Sequence, residues 1–471
     1  MFFSLKTQLF KTLFPGRFMR RKHRAFRRLL EHDRQGQLAL ARLEEIFYDR
    51  QRVDFSQVRR VYQELSRHVA GVIDGLAAMA LADHVVLAER FSKIDLAIEP
   101  HLKPLEEAQG SPYTIALNEI NAEALPSVGG KAIHLARIAG ALPISVPAGF
   151  VVTAEACRGF YRANGLRPQI NALLAELDIH SPTSLNQTSQ QLVTLIHDAP
   201  LPDNLDAALR AAYRNLPRRG DSPLKVAVRS SAVAEDSELS FAGQYRTLLN
   251  VGPETLAEAY KAVLASKYSP QALYYRIRNG LLDEETDMAV LVLELIAARA
   301  SGVLYTRDPL NPESRRMMLH AIRGFGEPLV SGAVTPAVWT LEVDAAGVPR
   351  IAHSEAADQP FQQVLAPSGE SRETPLSPEA RHSTILDAPT ALALANWGID
   401  LESYFGGAQD IEWCQDANGA LYLLQCRPLE TYTQGAAADE CRIEEVQNEL
   451  LLSGGIKASA GVGSGRVHRI R

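Results

Sequence analysis

The chain has 471 residues, 46% of them apolar and 22% charged, with a formal net charge of −6. That length exceeds one ordinary core and predicts two to four domains of a soluble globular protein. The net acidity argues against nucleic acid as a partner of the whole molecule. Cys157, Cys414, Cys426 and Cys441 have neither metal-ligand nor disulfide spacing and read as reduced thiols of a cytoplasmic protein.

Charge is unevenly spread, since Met1–Arg28 carries nine Lys or Arg and no acid. Lys6 and Lys11 interrupt any apolar run that would make this a secretory signal. Met1–Phe18 has two readings. Its apolar side (Phe2, Phe3, Leu5, Leu9, Phe10) could lie on an anionic membrane surface. Alternatively it is an amphipathic helix docked on its own protein with the basic residues solvated, and this is the expectation. Residues 1–108 read as helical, because Leu29, Leu38, Leu43 and Ile46, then Val58, Val61, Leu65, Val69 and Ile73, recur at helical spacing. Glu99–Pro112 reads as a linker.

From Tyr113 strands and helices alternate. Gly129-Gly130-Lys131 precedes an amphipathic helix carrying Ile133, Leu135 and Ile138. Glycine lets backbone approach a ligand, and lysine there reaches a phosphate. There is no P-loop pattern. Val146–Thr153 reads as a strand entered through a proline turn, and Lys225–Arg229 as a short strand. Arg229 at that strand's end, with the small-residue loop Ser240–Gln244 after it, suits a triphosphate whose tail the loop covers. The plain alternative has Ser230 or Ser231 as a helix N-cap. Ala289–Leu295 is a buried strand, in which Glu294 is costly unless paired or placed at a site. At the strand's end it would face an adenine or ribose; otherwise it marks a partly exposed strand end. Ser301-Gly302, Gly324–Glu327 and Ser331–Pro336 read as glycine turns. The apolar run Met288–Ala298 is too short to span a membrane and is broken by Glu294. Ser354–Ser383, rich in Ser, Pro, Gln and Glu, reads as a long surface loop, and Leu386–Phe405 as a helix.

The helix leads to a hairpin signal, Asn418-Gly419 between alternating apolar residues. With these two as the central turn residues, Glu412 lies opposite Gln425 and Asp410 opposite Arg427, all on one face. Ile411, Trp413, Leu424 and Cys426 then fill the other. Two carboxylates, an amide and an arginine on a rigid face suit a magnesium-bound polyphosphate; the plain alternative is an edge hairpin with a surface salt bridge. Gly454–Arg471 is rich in Gly and Ser and begins a strand at Arg466–Ile470, as though opening another domain.

Taken in order, these blocks resemble the ATP-binding half of the phosphoenolpyruvate synthase (pyruvate, water dikinase) and pyruvate phosphate dikinase family. The matching pieces span residues 113–430 and include Val128–Lys131, Val146–Thr153, Val226–Ser231, Ser240–Gln244, Leu248–Val251, Ser331–Pro336, Asp410–Trp413 and Gln425–Pro428. The resemblance implies an α+β, ATP-grasp domain of two subdomains at 113–435, preceded by a helical extension at 1–108. It also implies the start of a swivelling phosphohistidine domain at 454–471. ATP would be the phosphoryl donor and Mg2+ the cofactor. Lys131 and Arg229 would hold phosphates beneath Gly243 and Gln244, and Glu294 would contact the adenosine. Asp410, Glu412 and Gln425 would hold the metal, and Arg427, with Arg229 and Lys131, would stabilise the transferred phosphoryl group. The phosphoryl group would pass to a histidine on the swivelling domain and then to pyruvate. A rifamycin phosphotransferase-like acceptor and a non-catalytic nucleotide-binding scaffold are the alternatives.

The chain departs from the pattern at Leu293, Ala408 and Cys426, where the family usually has Gln, Pro and Ser or Thr; none of these removes a charge. No Thr-Ser-His-Ala type segment and no pyruvate-binding barrel occur in these residues, and His134 and His320 read as structural. The expectation is a fragment of a longer enzyme or a protein acting on a separate partner. Its helical extension would meet the swivelling domain, a second copy or a membrane.

Overall fold

The computed structural model describes residues 15–48, 53–79, 84–102, 112–121, 124–218, 223–232, 245–309, 311, 314, 316–344, 346–365 and 371–429. Most of the Glu99–Pro112 linker and all of Gly454–Arg471 lie outside the described residues.

Three helices come first: α1 (Pro15–Tyr48), α2 (Phe55–Ala78) and α3 (His84–Leu102). The less exposed residues of α1 recur at three- and four-residue spacing, as a helix packed on one face requires. Glycines let α2 approach that face closely. A Cβ at Gly75 would lie 2.9 Å from that of Leu29, and one at Gly71 would lie 2.6 Å from the His32 ring. His32 and His68 meet there, Nδ1 to Nδ1, at 3.1 Å. From Leu29 onward α1 is therefore docked on α2. Of Met1–Phe18, for which docking was expected, residues 1–14 lie outside the described residues and 15–18 take no part in these contacts.

Asp54 caps α2 by accepting the Ser56 amide at 2.8 Å. Its other carboxylate oxygen pairs with Arg276 at 2.8 Å, both side chains being almost wholly buried. Beyond Arg276 lies Asp283, whose carboxylate accepts from Arg167 at 2.7 Å and forms an ion pair with Lys267 at 3.1 Å. Lys267 donates to the Asp283 backbone carbonyl at 2.7 Å, and Arg167 also pairs with Asp287. Arg158, paired with Glu155 at 3.0 Å, also reaches Asp287 at 3.5 Å, so every buried carboxylate named here is met by a cation at the junction between the helical segment and the rest of the chain.

The first sheet has five antiparallel strands in the order β1-β2-β5-β3-β4. They are β1 (Thr114–Ala116), β2 (Gly149–Val152), β3 (Val226–Ala232), β4 (Thr247–Val251) and β5 (Met288–Glu294). Every residue of β5 is buried, because both faces of the sheet are covered. Val290 and Val292 enter a core with helices such as α6 (Ala154–Ala163), α8 (Pro182–Asp198) and α10 (Leu256–Ser266). Leu291 and Leu293 enter a second core on the opposite side, with α5 (Gly130–Ala141). That second core is shared with a six-stranded antiparallel sheet, β13-β12-β6-β7-β8-β9, and with α14 (Ala388–Phe405), so apolar burial joins the two sheets. Here β6 is Ala298–Tyr305, β7 Arg316–Arg323, β8 Ala337–Val343, β9 Pro349–Glu355, β12 Gln409–Asp416 and β13 Leu421–Pro428.

The chain from Ser354 onward is more ordered than its composition suggests. It ends β9, then forms the hairpin β10 (Phe361–Leu365) and β11 (Ser371–Pro375) and the short helix α13 (Pro378–Arg381). Polar residues mark this segment because β10 is only half-buried and β11 is largely exposed, not because it lacks structure. Similarly, Ser301-Gly302 is strand rather than turn. A Cβ at Gly302 would fall 1.9 Å from the His320 carbonyl oxygen and 2.6 Å from the Trp413 ring, so glycine lets the buried indole cross β6. Ser230 and Ser231 lie within β3 rather than at the N-cap position of a helix.

Candidate active site

The site is built on β12 and β13. Their register places Asp410 opposite Arg427 and Glu412 opposite Gln425, as the two-residue turn predicts. The turn itself is longer. Asp416 N donates to the Ala420 carbonyl at 2.9 Å, enclosing Ala417, Asn418 and Gly419, with Gly419 at φ +87°. The added residue pairs Trp413 with Leu423, and a bulge between Glu412 and Trp413 restores the earlier pairing. Two one-residue offsets cancel, so the expected register holds at the site although the expected turn does not. Leu424 is the residue left over. Leu424, expected in the core, lines a cavity instead, and the one-residue offset gives its place beside Ile411, Trp413 and Cys426 to Leu423.

The bulge also supplies an acceptor. Leu424's carbonyl oxygen accepts from Arg229 Nη1 at 3.3 Å. Arg229 Nη2 donates to Glu412 Oε2 at 2.6 Å and to Gln425 Oε1 at 3.1 Å, so one guanidinium spans from the first sheet to the hairpin. Beside it, Lys131 Nζ donates to Ser230 Oγ at 3.3 Å. Lys131 reaches β3 because α5 starts against that strand. Ser231 Oγ donates to the Val128 carbonyl at 2.7 Å and accepts the Ala132 amide at 3.1 Å. Gly129, at φ +76°, has no room for a side chain, since a Cβ would lie 1.8 Å from the Ser231 carbonyl oxygen. Two residues further along the hairpin, Arg427 donates through Nε (2.9 Å) and Nη2 (2.6 Å) to one oxygen of Asp410.

The two carboxylates differ electrostatically. Burial would raise Glu412's pKa, but Arg229, helped by Lys131 and Arg427, outweighs it and holds the carboxyl below its usual range. For Asp410 burial prevails over Arg427, with Glu412 adding repulsion, and the pKa rises. The hairpin therefore holds one firmly ionised carboxylate and one that takes a proton more readily.

The Arg229–Glu412 pair forms one wall of a cavity of about 310 Å³ between the two sheets. Leu293, Ile296, Trp413 and Phe325 make much of its lining, and Glu294, the last residue of β5, lies on the same lining. Of the residues picked out in the sequence, Lys131, Arg229, Glu412 and Gln425 come together, the Asp410–Arg427 pair adjoins them, and Glu294 lines the same cavity. Gly243 and Gln244 lie outside the described residues. Glu327 had drawn no role. It lines the cavity from the start of α12 (Glu327–Val330), and Gln363 of β10 donates to it at 3.1 Å. An acid directly after the glycines of Gly324–Gly326 was the available signal. His134 is structural as expected, with Nδ1 3.2 Å from the Cys426 carbonyl oxygen and its ring edge-on to Phe405. Among the described residues no three His, Cys, Asp or Glu cluster as a metal site by themselves. Asp410, Glu412 and the Gln425 amide are instead the kind of sparse oxygen set that magnesium takes when phosphate oxygens complete its shell.

Relatives are found along most of the chain. It is 31% identical over 354 residues to a probable phosphoenolpyruvate synthase of Methanocaldococcus jannaschii, covering 74% of this chain and 29% of that protein. It is 30% identical over 392 residues to phosphoenolpyruvate synthase of Pyrococcus furiosus, covering 74% and 47%. It is 34% identical over 319 residues to rifampicin phosphotransferase of a Streptomyces species, covering 67% and 36%. The chain thus spans half or less of the length of each of these relatives. A biotin carboxylase–ATP-analogue complex from Campylobacter jejuni aligns with 52% of this chain and 41% of that one at 12% identity and a TM-score of only 0.24, which carries no structural argument. Among the described residues no helix is long and apolar enough to cross a membrane. The family described as pyruvate phosphate dikinase, AMP/ATP-binding domain matches residues 125–448, and the chain belongs to that family.

Proposed function

We propose that residues 113–435 are an ATP-grasp domain whose two subdomains clamp magnesium ATP, the ATP-binding half of a phosphoenolpyruvate synthase-like dikinase. Residues 1–108 are its helical extension, and 454–471 open a swivelling phosphohistidine domain. The observation that carries the reading is the meeting of Lys131, Arg229, Glu412 and Gln425 beside an apolar cavity, with Arg427 two residues along the same strand. A triphosphate needs cations and a metal at one end and an apolar slot for its base at the other. Here Lys131, Arg229 and Arg427 stand beside Asp410 and Glu412, so cations for phosphate and carboxylates for its metal occur together.

In this reading the base enters the cavity against Trp413 and Phe325, with Glu294 accepting from the adenosine. Lys131 and Arg229 hold phosphates, and Gly243 and Gln244 cover them. Asp410, Glu412 and Gln425 hold magnesium, which supplies charge neutralisation between phosphate oxygens. Arg427 stabilises negative charge on the phosphoryl group in transit. The acceptor is a histidine of the swivelling domain, in the same protein or in trans, and pyruvate receives the group from it. The similarity to a rifampicin phosphotransferase supports a second reading with an antibiotic as final acceptor.

Titrating magnesium ATP into the chain by calorimetry tests this. Saturable binding is expected for the wild type and none for Arg229→Ala/Glu412→Ala. Equal binding by the double variant would overturn the assigned site, and no binding by the wild type would favour a non-catalytic scaffold.

A further inference from the structure

The helical segment carries a surface that nucleotide binding does not use. Contacts between α1 and α2 set their antiparallel register: Leu29 meets Gly75, His32 meets Gly71, and Arg42 pairs with Glu64 at 3.3 Å. Continuing that register, α1 residues before Phe26 lie beyond Ala78, the last residue of α2. At about 1.5 Å per residue, Pro15–Ala25 overhangs the end of α2 by roughly 15 Å.

The overhang and the turn after it are chemically one-sided. Arg20, Arg21, Arg24, Arg27 and Arg28 are all exposed, and no acid precedes Glu31 in the sequence. Met19, Phe26 and Leu30 are also exposed, at 64, 44 and 48%. At 100° per residue these three fall within about 40° of one another around α1, off the face that meets α2. Arg20, Arg24 and Arg27 follow directly around the helix. Past Glu31, which pairs with Arg34 at 2.8 Å, acids and bases alternate and the surface loses this character. A narrow apolar stripe bordered by arginines matches an anionic bilayer surface, where the stripe enters the acyl boundary and the guanidiniums stay among the phosphates. Nucleic acid would use the arginines but leave Met19, Phe26 and Leu30 in water. A second copy of the same basic stripe would bring like charges together.

We propose that the N-terminal half of α1 is a peripheral docking surface for anionic lipid, lying in the membrane interface rather than crossing it. α2 and the buried Asp54–Arg276 pair then hold the rest of the molecule at a fixed attitude to the membrane.

Sedimentation of the full chain with phosphatidylcholine vesicles, with and without phosphatidylglycerol, tests this. Binding is expected only when phosphatidylglycerol is present, and it should weaken as salt rises. Each Arg→Gln change at Arg20, Arg24 or Arg27 should lower partitioning about fivefold, the equivalent of about 1 kcal/mol per basic residue. Phe26→Ser/Leu30→Ser should lower it further at constant charge. All these side chains are exposed, so unchanged melting curves would show that folding is intact. Three results would overturn the proposal: no binding to anionic vesicles, unchanged binding by Phe26→Ser/Leu30→Ser, or a duplex RNA that binds the same arginines while vesicles fail to compete. Dimerisation abolished by Phe26→Ser with vesicle binding intact would assign the stripe to a second copy instead, and so also overturn it.

Discussion

The Asp54–Arg276–Asp283 junction and the β12–β13 hairpin are built from the same materials, carboxylates held by arginines and a lysine, yet they are suited to opposite tasks. At the junction Arg276, Lys267 and Asp283 are about 1% exposed, and each charge is met by protein charges of opposite sign. At the hairpin Glu412 and Arg427 are 28 and 32% exposed, and the Arg229–Glu412 pair borders an open cavity. A closed network can only hold structure together, whereas an open one can exchange a protein partner for a ligand. An ion pair alone therefore says little about function; its access does.

The sharpest way to break this comparison is to open the junction. Arg276→Ala strands Asp54 and Asp283 in the interior and should cost about 3–5 kcal/mol in urea unfolding. A loss below about 1 kcal/mol would mean that water reaches the junction and the contrast fails. Next comes Arg427→Ala. Phosphoryl transfer to a histidine-bearing acceptor domain supplied in trans should fall about 1,000-fold or more. Nucleotide affinity should fall less, and stability should fall less than for Arg276→Ala, because Arg427 is 32% exposed and Asp410 takes a proton more readily. Activity equal to wild type would remove Arg427 from the reaction.

The smallest effect is on pH dependence. Burial raises Asp283's pKa, but Lys267, Arg276 and Arg167 outweigh it and hold the carboxyl far below its usual range. Its folded pKa lies below the unfolded one, so its stabilisation is present above pH 4 or so and is lost as pH falls through the folded value. Asp410, raised by burial, has the opposite sign: the folded state binds its proton more tightly, so its contribution grows as pH falls. Asp410→Asn should change neutral-pH stability by less than about 1 kcal/mol and remove that gain in mild acid. Asp283→Asn should be costly at neutral pH and flatten the acid limb. Matching pH profiles for the two variants would erase the distinction.

What could be read from the chain alone follows the range of each interaction. Local patterns carried the helical character of the N-terminal segment, the buried β5 and the pairing of Glu412 with Gln425, because periodicity, alternation and turn residues act over a few positions. The meeting of Lys131, Arg229 and Glu412 was reachable only through the family resemblance, since those residues lie far apart in sequence. The junction was invisible. Asp54 and Arg276 are 222 residues apart, and each looks like any surface charge until its partner buries it. Ser354–Ser383 misled for the converse reason, β10 being half-covered by neighbours that composition does not reveal.

The bulge at Leu424 makes turn length and site register separable. A two-residue turn without a bulge and a three-residue turn with one leave Asp410, Glu412, Gln425 and Arg427 in identical pairings. A residue can thus be added or lost at the solvent tip without displacing the charged face. The two solutions are not equal for Arg229, because only the longer one leaves Leu424 outside the pairing with its carbonyl turned to that guanidinium. The length of an exposed tip thereby sets how firmly a charge in the cleft is anchored, some distance away.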